Sequence, residues 1–259
     1  GGSGSNKFNV STASAIVAAC AGAKVAKHGN RGATSTSGSA DVLEAAGVSL
    51  TLEASQVARV IEHVGVGFMF APAHHSAMKY VITARKEIGV RTIFNLLGPL
   101  TNPASSPNQI IGVFDPIWIP TLLEVLRELG SNHVMIVSSD DGLDEISIAA
   151  ETQVGELKAG EITTYSISPG DFGIEQYPDC NGLQINNAEE SLIMLKQALA
   201  NENRAAAEIV ALNAGAAIYV ANLCEDLLAG VAKAKEVLES GLAQEKFDQL
   251  IQFTQLTDG

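Results

Sequence analysis

The chain has 259 residues, 46% of them apolar, with 24 glycines and only 5% aromatic residues. That is enough apolar material for a large α/β core and a poor match to an all-β fold. A net charge of −13 excludes binding to nucleic acid through a general positive field. The charge is uneven: residues 1–91 carry nine Lys/Arg against five Asp/Glu, and residues 92–259 carry seven against twenty-four. A basic N-terminal third inside an acidic protein points to a focused anion site. No apolar run reaches membrane-spanning length, because Glu208 and Asn213 interrupt the best candidate around 209–220. With no cleavable signal visible, the expected location is cytoplasmic, with no membrane partner. Cys20, Cys180 and Cys224 lack CxxC spacing and read as reduced thiols, not as a disulfide or zinc framework.

In chain order, Gly1–Ser5 is a glycine/serine stretch, and Ser14–Ala21 reads as a short buried helix opening just after Ser11-Thr12. Lys24–Lys27 reads as a strand, and Ser39–Ala46 as a helix closed by Gly47. Apolar residues at 57, 60, 61 and 64 predict a helix over 52–64. Val66–Ala71 is a buried strand, and 74–88 a helix ended by Gly89. Asn108–Phe114 is an interior strand. Asp115-Pro116 then supplies an N-cap and a proline at the first helical position, predicting a helix to Leu129. His133–Ser139 is a second interior strand, ending in the acidic turn Asp140-Asp141-Gly142-Leu143-Asp144-Glu145. Residues 146–167 read as a strand meander with turns at Gly155 and Gly160. Helices are expected near 188–200, 205–222, 225–239 and 244–255. Strand–helix alternation in the middle predicts a parallel or mixed sheet flanked by helices.

The most informative stretch is Lys27–Asp41. It holds two cations, an imidazole, an amide, three glycines and five hydroxyls, with almost no large apolar side chain. Such a segment suits a polyanion: glycines let the backbone approach phosphate oxygens, and N–H groups, hydroxyls and cations donate to them. A second hydroxyl-rich turn, Asn9-Val10-Ser11-Thr12, lies upstream, where a helix N-terminus would add its positive dipole end.

These residues resemble the anthranilate phosphoribosyltransferase family. The resemblance rests on Asn9-Val10-Ser11-Thr12-Ala13-Ser14, on Lys27-His28-Gly29-Asn30-Arg31, and on Ser37-Gly38-Ser39-Ala40-Asp41-Val42-Leu43-Glu44. It continues through Phe68–Pro72, His74–Lys79, the stretch from Arg91 to Pro103, and Gly142-Leu143-Asp144-Glu145. It covers essentially the whole chain. It implies the nucleoside phosphorylase-type phosphoribosyltransferase fold, an α/β architecture whose central mixed sheet is flanked by helices, plus a small helical domain that is incomplete here. On that basis 1–47 and 66–259 form the large α/β domain, while 48–65 and part of 74–90 are a remnant of the small helical domain. The family pattern extends upstream of Gly1 with several helices and a Gly-Thr-Gly-Gly-Asp loop. Ser3 stands where that loop has its Asp, and Ser76 replaces a proline usual after the histidine pair.

The implied reaction transfers the phosphoribosyl group from phosphoribosyl pyrophosphate to the amine of anthranilate, in tryptophan synthesis. The resemblance assigns phosphoribosyl pyrophosphate to Gly2, Ser3, Lys7, Asn9, Val10, Ser11, Thr12, Lys27, His28, Gly29, Asn30, Arg31, Gly32, Ala33, Thr34, Ser35 and Ser39. It assigns anthranilate to Asn30 and Arg85, with His75 and His28 in second rank, and Mg2+ to Ser11, Asp144 and Glu145. No single acid or base residue is expected. The amine is a neutral nucleophile, so the site works by positioning and electrostatics. A homodimer is expected where the N-terminal helices are present. The alternatives are a pyrimidine nucleoside phosphorylase-like enzyme, an inactive truncated or engineered form of the transferase, and a nucleic-acid-binding relative, the last disfavoured by the net charge.

Overall fold

The computed structural model describes residues 6–32, 36–74, 98 and 100–257. The helix expected over 74–88 falls, past His74, outside them. The first helix, α1 (Val10–Cys20), opens ahead of the expected Ser14 because the Asn9 side chain accepts from the Thr12 N–H at 3.1 Å and so caps it. Nearly all of α1 is buried, as its run of Ala, Val and Ile requires.

Strand β1 (Val25–Gly29) pairs in parallel with β2 (Val66–Phe70), with Lys27 opposite Phe68. Between them lie α2 (Ser39–Ala45) and α3 (Ala54–Val64). The apolar face of α3 buries Val57, Val60 and Val64 in the core that also holds α1, so burial and not propensity fixes this helix. A short helix, α4 (Ala71–His74), follows β2 directly.

A second, four-stranded sheet runs β3 (Asn108–Gly112), β4 (His133–Ser139), β5 (Thr152–Lys158) and β6 (Glu161–Ile167) in that spatial order. Strands β3 and β4 are parallel, and the remaining pairs antiparallel. The β3–β4 crossover carries α5 (Ile119–Glu128), preceded by a 3-10 turn at Pro116–Trp118 that Asp115 caps through the Ile117 N–H at 3.0 Å. Every residue of β4 is buried, His133, Ser138 and Ser139 included, as in a strand covered on both faces.

The turn expected at Gly155 is not a turn. Gly155 sits within β5, opposite Ile136, and a methyl there would collide with Ile119 and Leu123 of α5. The glycine marks close helix-on-sheet packing, and the hairpin bend lies at Ala159-Gly160.

Four helices complete the chain: α6 (Ala188–Leu199), α7 (Arg204–Val220), α8 (Leu227–Glu239) and α9 (Leu242–Thr257). Side chains of Asn187, Asn203 and Asp226 cap α6, α7 and α8. Helix α7 is buried along almost its whole length and packs on α1 and α8. Ile16, Leu43 and Phe247 are wholly enclosed, each burial contributing on the order of 1.5–3 kcal/mol. All three cysteines are free thiols. Among the described residues no helix is long and apolar enough to cross a membrane.

Candidate active site

The candidate residues gather around the carboxyl ends of β1 and β4, where ligands of α/β sheets usually bind. At the first, β1 delivers Lys27 towards the start of α1. The Lys27 ammonium donates to Ser11 Oγ at 2.9 Å. Asn9 Oδ1 in turn accepts from Ser11 Oγ at 3.4 Å, from the Thr12 N–H at 3.1 Å, and from Thr12 Oγ1. Asn9 itself is tied down by its N–H, which donates to the buried Ser191 hydroxyl of α6 at 3.1 Å. A cation, two hydroxyls and a helix N-terminus therefore share one small volume, a ready place for phosphate oxygens.

Burial pushes the Lys27 ammonium down to about 8, and the charge of Glu145 acts against that shift. This coupling places the acidic turn after β4 within electrostatic reach of the basic cluster. Burial, then the neighbouring Asp144 carboxylate, pushes the Glu145 carboxyl well above the usual range, with Lys7 pulling the other way. Two adjacent, half-buried carboxylates and a nearby hydroxyl are hard oxygen donors too few to cage a cation. Among the described residues no group of three or more His, Cys, Asp and Glu is gathered for a metal. That donor set fits Mg2+, which takes one or two carboxylates and completes its shell with water and substrate phosphate.

The acidic turn is rigidly built. A methyl at Gly112 of β3 would overlap the Asp144 carbonyl, so only glycine lets the turn lie against the strand. Ser139 donates to the Glu145 carbonyl at 2.6 Å and shares a hydrogen bond with Thr152 Oγ1 at 2.7 Å. Asp141, exposed at the turn, accepts from Ser147 Oγ at 2.7 Å and from the Leu143 N–H at 3.3 Å, so it helps to close the turn.

The loop after β1 is held differently. Asp41 Oδ2 accepts the N–H groups of Gly32 and Gly38, each at 2.9 Å, and Oδ1 accepts from Arg31 at 3.1 Å. Arg31 also donates to both oxygens of Glu44, at 2.6 and 2.9 Å, and its guanidinium lies over the Phe70 ring at 5.6 Å. Burial pushes the Asp41 carboxyl up, but these N–H groups and the guanidinium outweigh it and hold it below its ordinary value. Arg31 is here a tether of the loop, and a phosphate would compete with two carboxylates for it.

Other expected site residues fall as follows. Lys7 forms an isolated antiparallel bridge with Gln184. Val10 is buried and its N–H donates to the Phe8 carbonyl, so it supports the turn from below. His28 and Gly29 complete β1. Asn30 is exposed, its side chain accepting from the Arg31 N–H at 2.8 Å. Gly32 follows in the loop, and Ser39 is buried at the start of α2, its hydroxyl 3.5 Å from the Asn30 carbonyl. Gly2, Ser3, Ala33, Thr34, Ser35, His75 and Arg85 lie outside the described residues. Asp41, Asp141, Ser139 and Ser191 were not anticipated as site residues, although Asp41 stands in the same polar stretch as its partners.

This fold, with a basic helix N-terminus facing an acidic strand end, defines a transferase of the glycosyl transferase family, whose α/β-domain description matches residues 1–244. The chain is 57% identical over 255 residues to the anthranilate phosphoribosyltransferase of Hydrogenovibrio crunogenus, covering 98% of this chain and 75% of that one. It is 56% identical to the enzyme of Cellvibrio japonicus, with 98% and 75% covered. Among solved structures, the Thermus thermophilus enzyme superposes with a TM-score of 0.92 at 41% identity, over 98% of this chain and 76% of that one. The Saccharomyces cerevisiae enzyme, in complex with phosphoribosyl pyrophosphate and Mg, gives 0.88 at 29%, over 99% and 72%. The chain belongs to the anthranilate phosphoribosyltransferase family, whose members make phosphoribosyl anthranilate for tryptophan synthesis.

Proposed function

We infer that this protein transfers the phosphoribosyl group of phosphoribosyl pyrophosphate to the amine of anthranilate, and that the two strand ends described above form its active site. The observation that carries this reading is the Lys27–Ser11–Asn9 cluster lying within electrostatic reach of Glu145. A diphosphate ester needs cations and N–H donors on one side and a divalent ion's ligands on the other.

In the reaction the C1–O bond to pyrophosphate breaks, the C1–N bond to the amine forms, and the proton that the amine loses passes to the departing pyrophosphate or to water. Lys27, the Ser11 and Thr12 hydroxyls and the start of α1 hold the phosphates and take up the negative charge that grows on the departing pyrophosphate. Asp144, Glu145 and Ser11 would hold Mg2+, which supplies further charge neutralisation at the phosphates when bound. Asn30, with His28, Arg85 and His75, is assigned to anthranilate. There the forked guanidinium of Arg85 suits a carboxylate. The remaining expectations, Lys7, the 27–35 loop and Ser39 around the phosphoribosyl group, the division into a large and a small domain, and a homodimer, belong to this same reading.

The test is loss of anthranilate fluorescence with phosphoribosyl pyrophosphate and Mg2+. Magnesium-dependent loss that Glu145→Gln and Lys27→Ala each suppress supports the assignment. Equal loss without magnesium, or turnover of a pyrimidine nucleoside with phosphate in its place, contradicts it.

A further inference from the structure

We propose that Asn213, assisted by Ser139, is a positioning residue that fixes the backbone carrying Asp144 and Glu145. The proposal rests on the assignment of that carboxylate pair to the metal and pyrophosphate.

Asn213 lies in the middle of α7, only 6% exposed, in a helix whose other buried positions are Ala, Val, Leu, Ile and Gly, with Tyr219 near its end. An amide there is costly unless every polar atom is paired. It is fully paired. Its Oδ1 accepts from the Ile146 N–H at 2.9 Å, and its Nδ2 donates to the Ile146 carbonyl at 2.9 Å and to the Ile209 carbonyl at 2.8 Å. One side chain thus takes both backbone groups of the residue next to Glu145, as a neighbouring strand would. Ile146 is itself buried at 2% exposure, so no water can replace this partner.

The carbonyl before it, that of Glu145, accepts from Ser139 Oγ, which also receives the Ser147 N–H at 3.2 Å. On the other side Gly112 admits the Asp144 carbonyl against β3. Backbone on three sides is therefore fixed by groups from β3, β4 and α7, and the two carboxylates are left to face the basic cluster. Two carboxyl groups on consecutive residues must be aimed together to serve one ion, and a loose backbone would let them drift apart. A site for metal and phosphate tolerates about 0.5 Å of misplacement. Asn213 spends a buried amide on this turn, where an alanine would serve the helix better.

The experiment is a Mn2+ titration by electron paramagnetic resonance in the presence of phosphoribosyl pyrophosphate, on the parent protein, Asn213→Asp, Ser139→Ala and Glu145→Gln. Thermal midpoints and KM for anthranilate are recorded alongside. Asn213→Asp keeps the shape and the acceptor but cannot donate to Ile146. Mn2+ affinity is expected to weaken about 10–100-fold in Asn213→Asp, and less in Ser139→Ala, as for groups that orient metal ligands. KM for anthranilate stays within about twofold. A purely structural role predicts lowered thermal midpoints with Mn2+ affinity unchanged, and that result overturns the proposal. If Asn213→Asp does not fold, Ser139→Ala decides the matter by the same reading. Weakening in Glu145→Gln alone sinks the positioning role and leaves the metal assignment standing. No weakening in Glu145→Gln sinks both.

Discussion

The two halves of the site are built on opposite plans. The basic half, from Lys27 in β1 to Asp41 in α2, is pinned by charge: Asp41 gathers Gly32, Gly38 and Arg31, and Glu44 shares Arg31. The acidic half, Ser139 to Ser147, is pinned mainly by buried neutral groups, the Ser139 hydroxyl, the Thr152 hydroxyl and the Asn213 amide, with the Asp141 carboxylate as a charged tie at its edge. The difference follows from what each half must do. A loop that receives a large polyanion gains from ties that the ligand's own charge can exchange for. A turn that must aim two adjacent carboxyl groups gains from buried ties, which salt and ligand reach least.

The largest effect expected on this comparison comes from Lys27, a cation that both halves feel. Lys27→Ala removes the charge beside Ser11 and should lower kcat/KM by about 10²–10³-fold, the usual cost of a donor aimed at developing charge. Steady-state kinetics at saturating anthranilate measures it, and a loss under tenfold would place the phosphates elsewhere.

Next is Gly112→Ala. Its methyl meets the Asp144 carbonyl, so the turn must shift. We expect destabilisation of about 1–3 kcal/mol by overpacking, with weakened Mn2+ binding, seen by urea unfolding and the same titration. The basic half should be untouched, with the phosphoribosyl pyrophosphate KM at saturating metal changed least.

Asp41→Ala should do the reverse. It frees the Gly32 and Gly38 N–H groups and releases Arg31 from one partner, raising KM for phosphoribosyl pyrophosphate several-fold. Arg31 and Gly32 are exposed, so the stability loss should stay at about 1 kcal/mol. An unchanged KM would show that the staple has no part in ligand capture.

The smallest effect is in acid. The folded Asp41 carboxyl lies below its ordinary 3.8, so its stabilisation is present above that value and fades as pH falls through the lower folded value. Parent and Asp41→Asn stability curves should therefore separate above the ordinary value of 3.8 and converge as pH falls below it. Parallel curves throughout would remove Asp41 from the linkage.

The same contrast explains what the sequence disclosed. The basic half is local: Lys27, Asn30, Arg31, Gly32, Gly38 and Asp41 lie within one stretch of glycines and hydroxyls, and their purpose shows in the composition. The carboxylates of the acidic half were legible as a motif at a strand end, but their supports were not. Asn213 stood out only as a polar break in an apolar helix, and nothing local ties it to Ile146. Gly112 and Gly155 look like any strand or turn glycine until a neighbour's position is known, which is why Gly155 was read as a turn. The start of α1 was misplaced for a related reason. Asn9 caps it, so the Ser11-Thr12 hydroxyls belong to its first turn and not to a preceding loop.

The account's central claim is that two halves built so differently act on one ligand. A double-mutant cycle on the Kd for phosphoribosyl pyrophosphate, measured by calorimetry with saturating Mg2+ for the parent, Lys27→Ala, Glu145→Gln and the double variant, tests it directly. Coupling of about 1 kcal/mol or more between the two substitutions is predicted, as for groups that share a partner. Additive losses would mean that the basic loop and the acidic turn serve separate ligands, and would contradict the account.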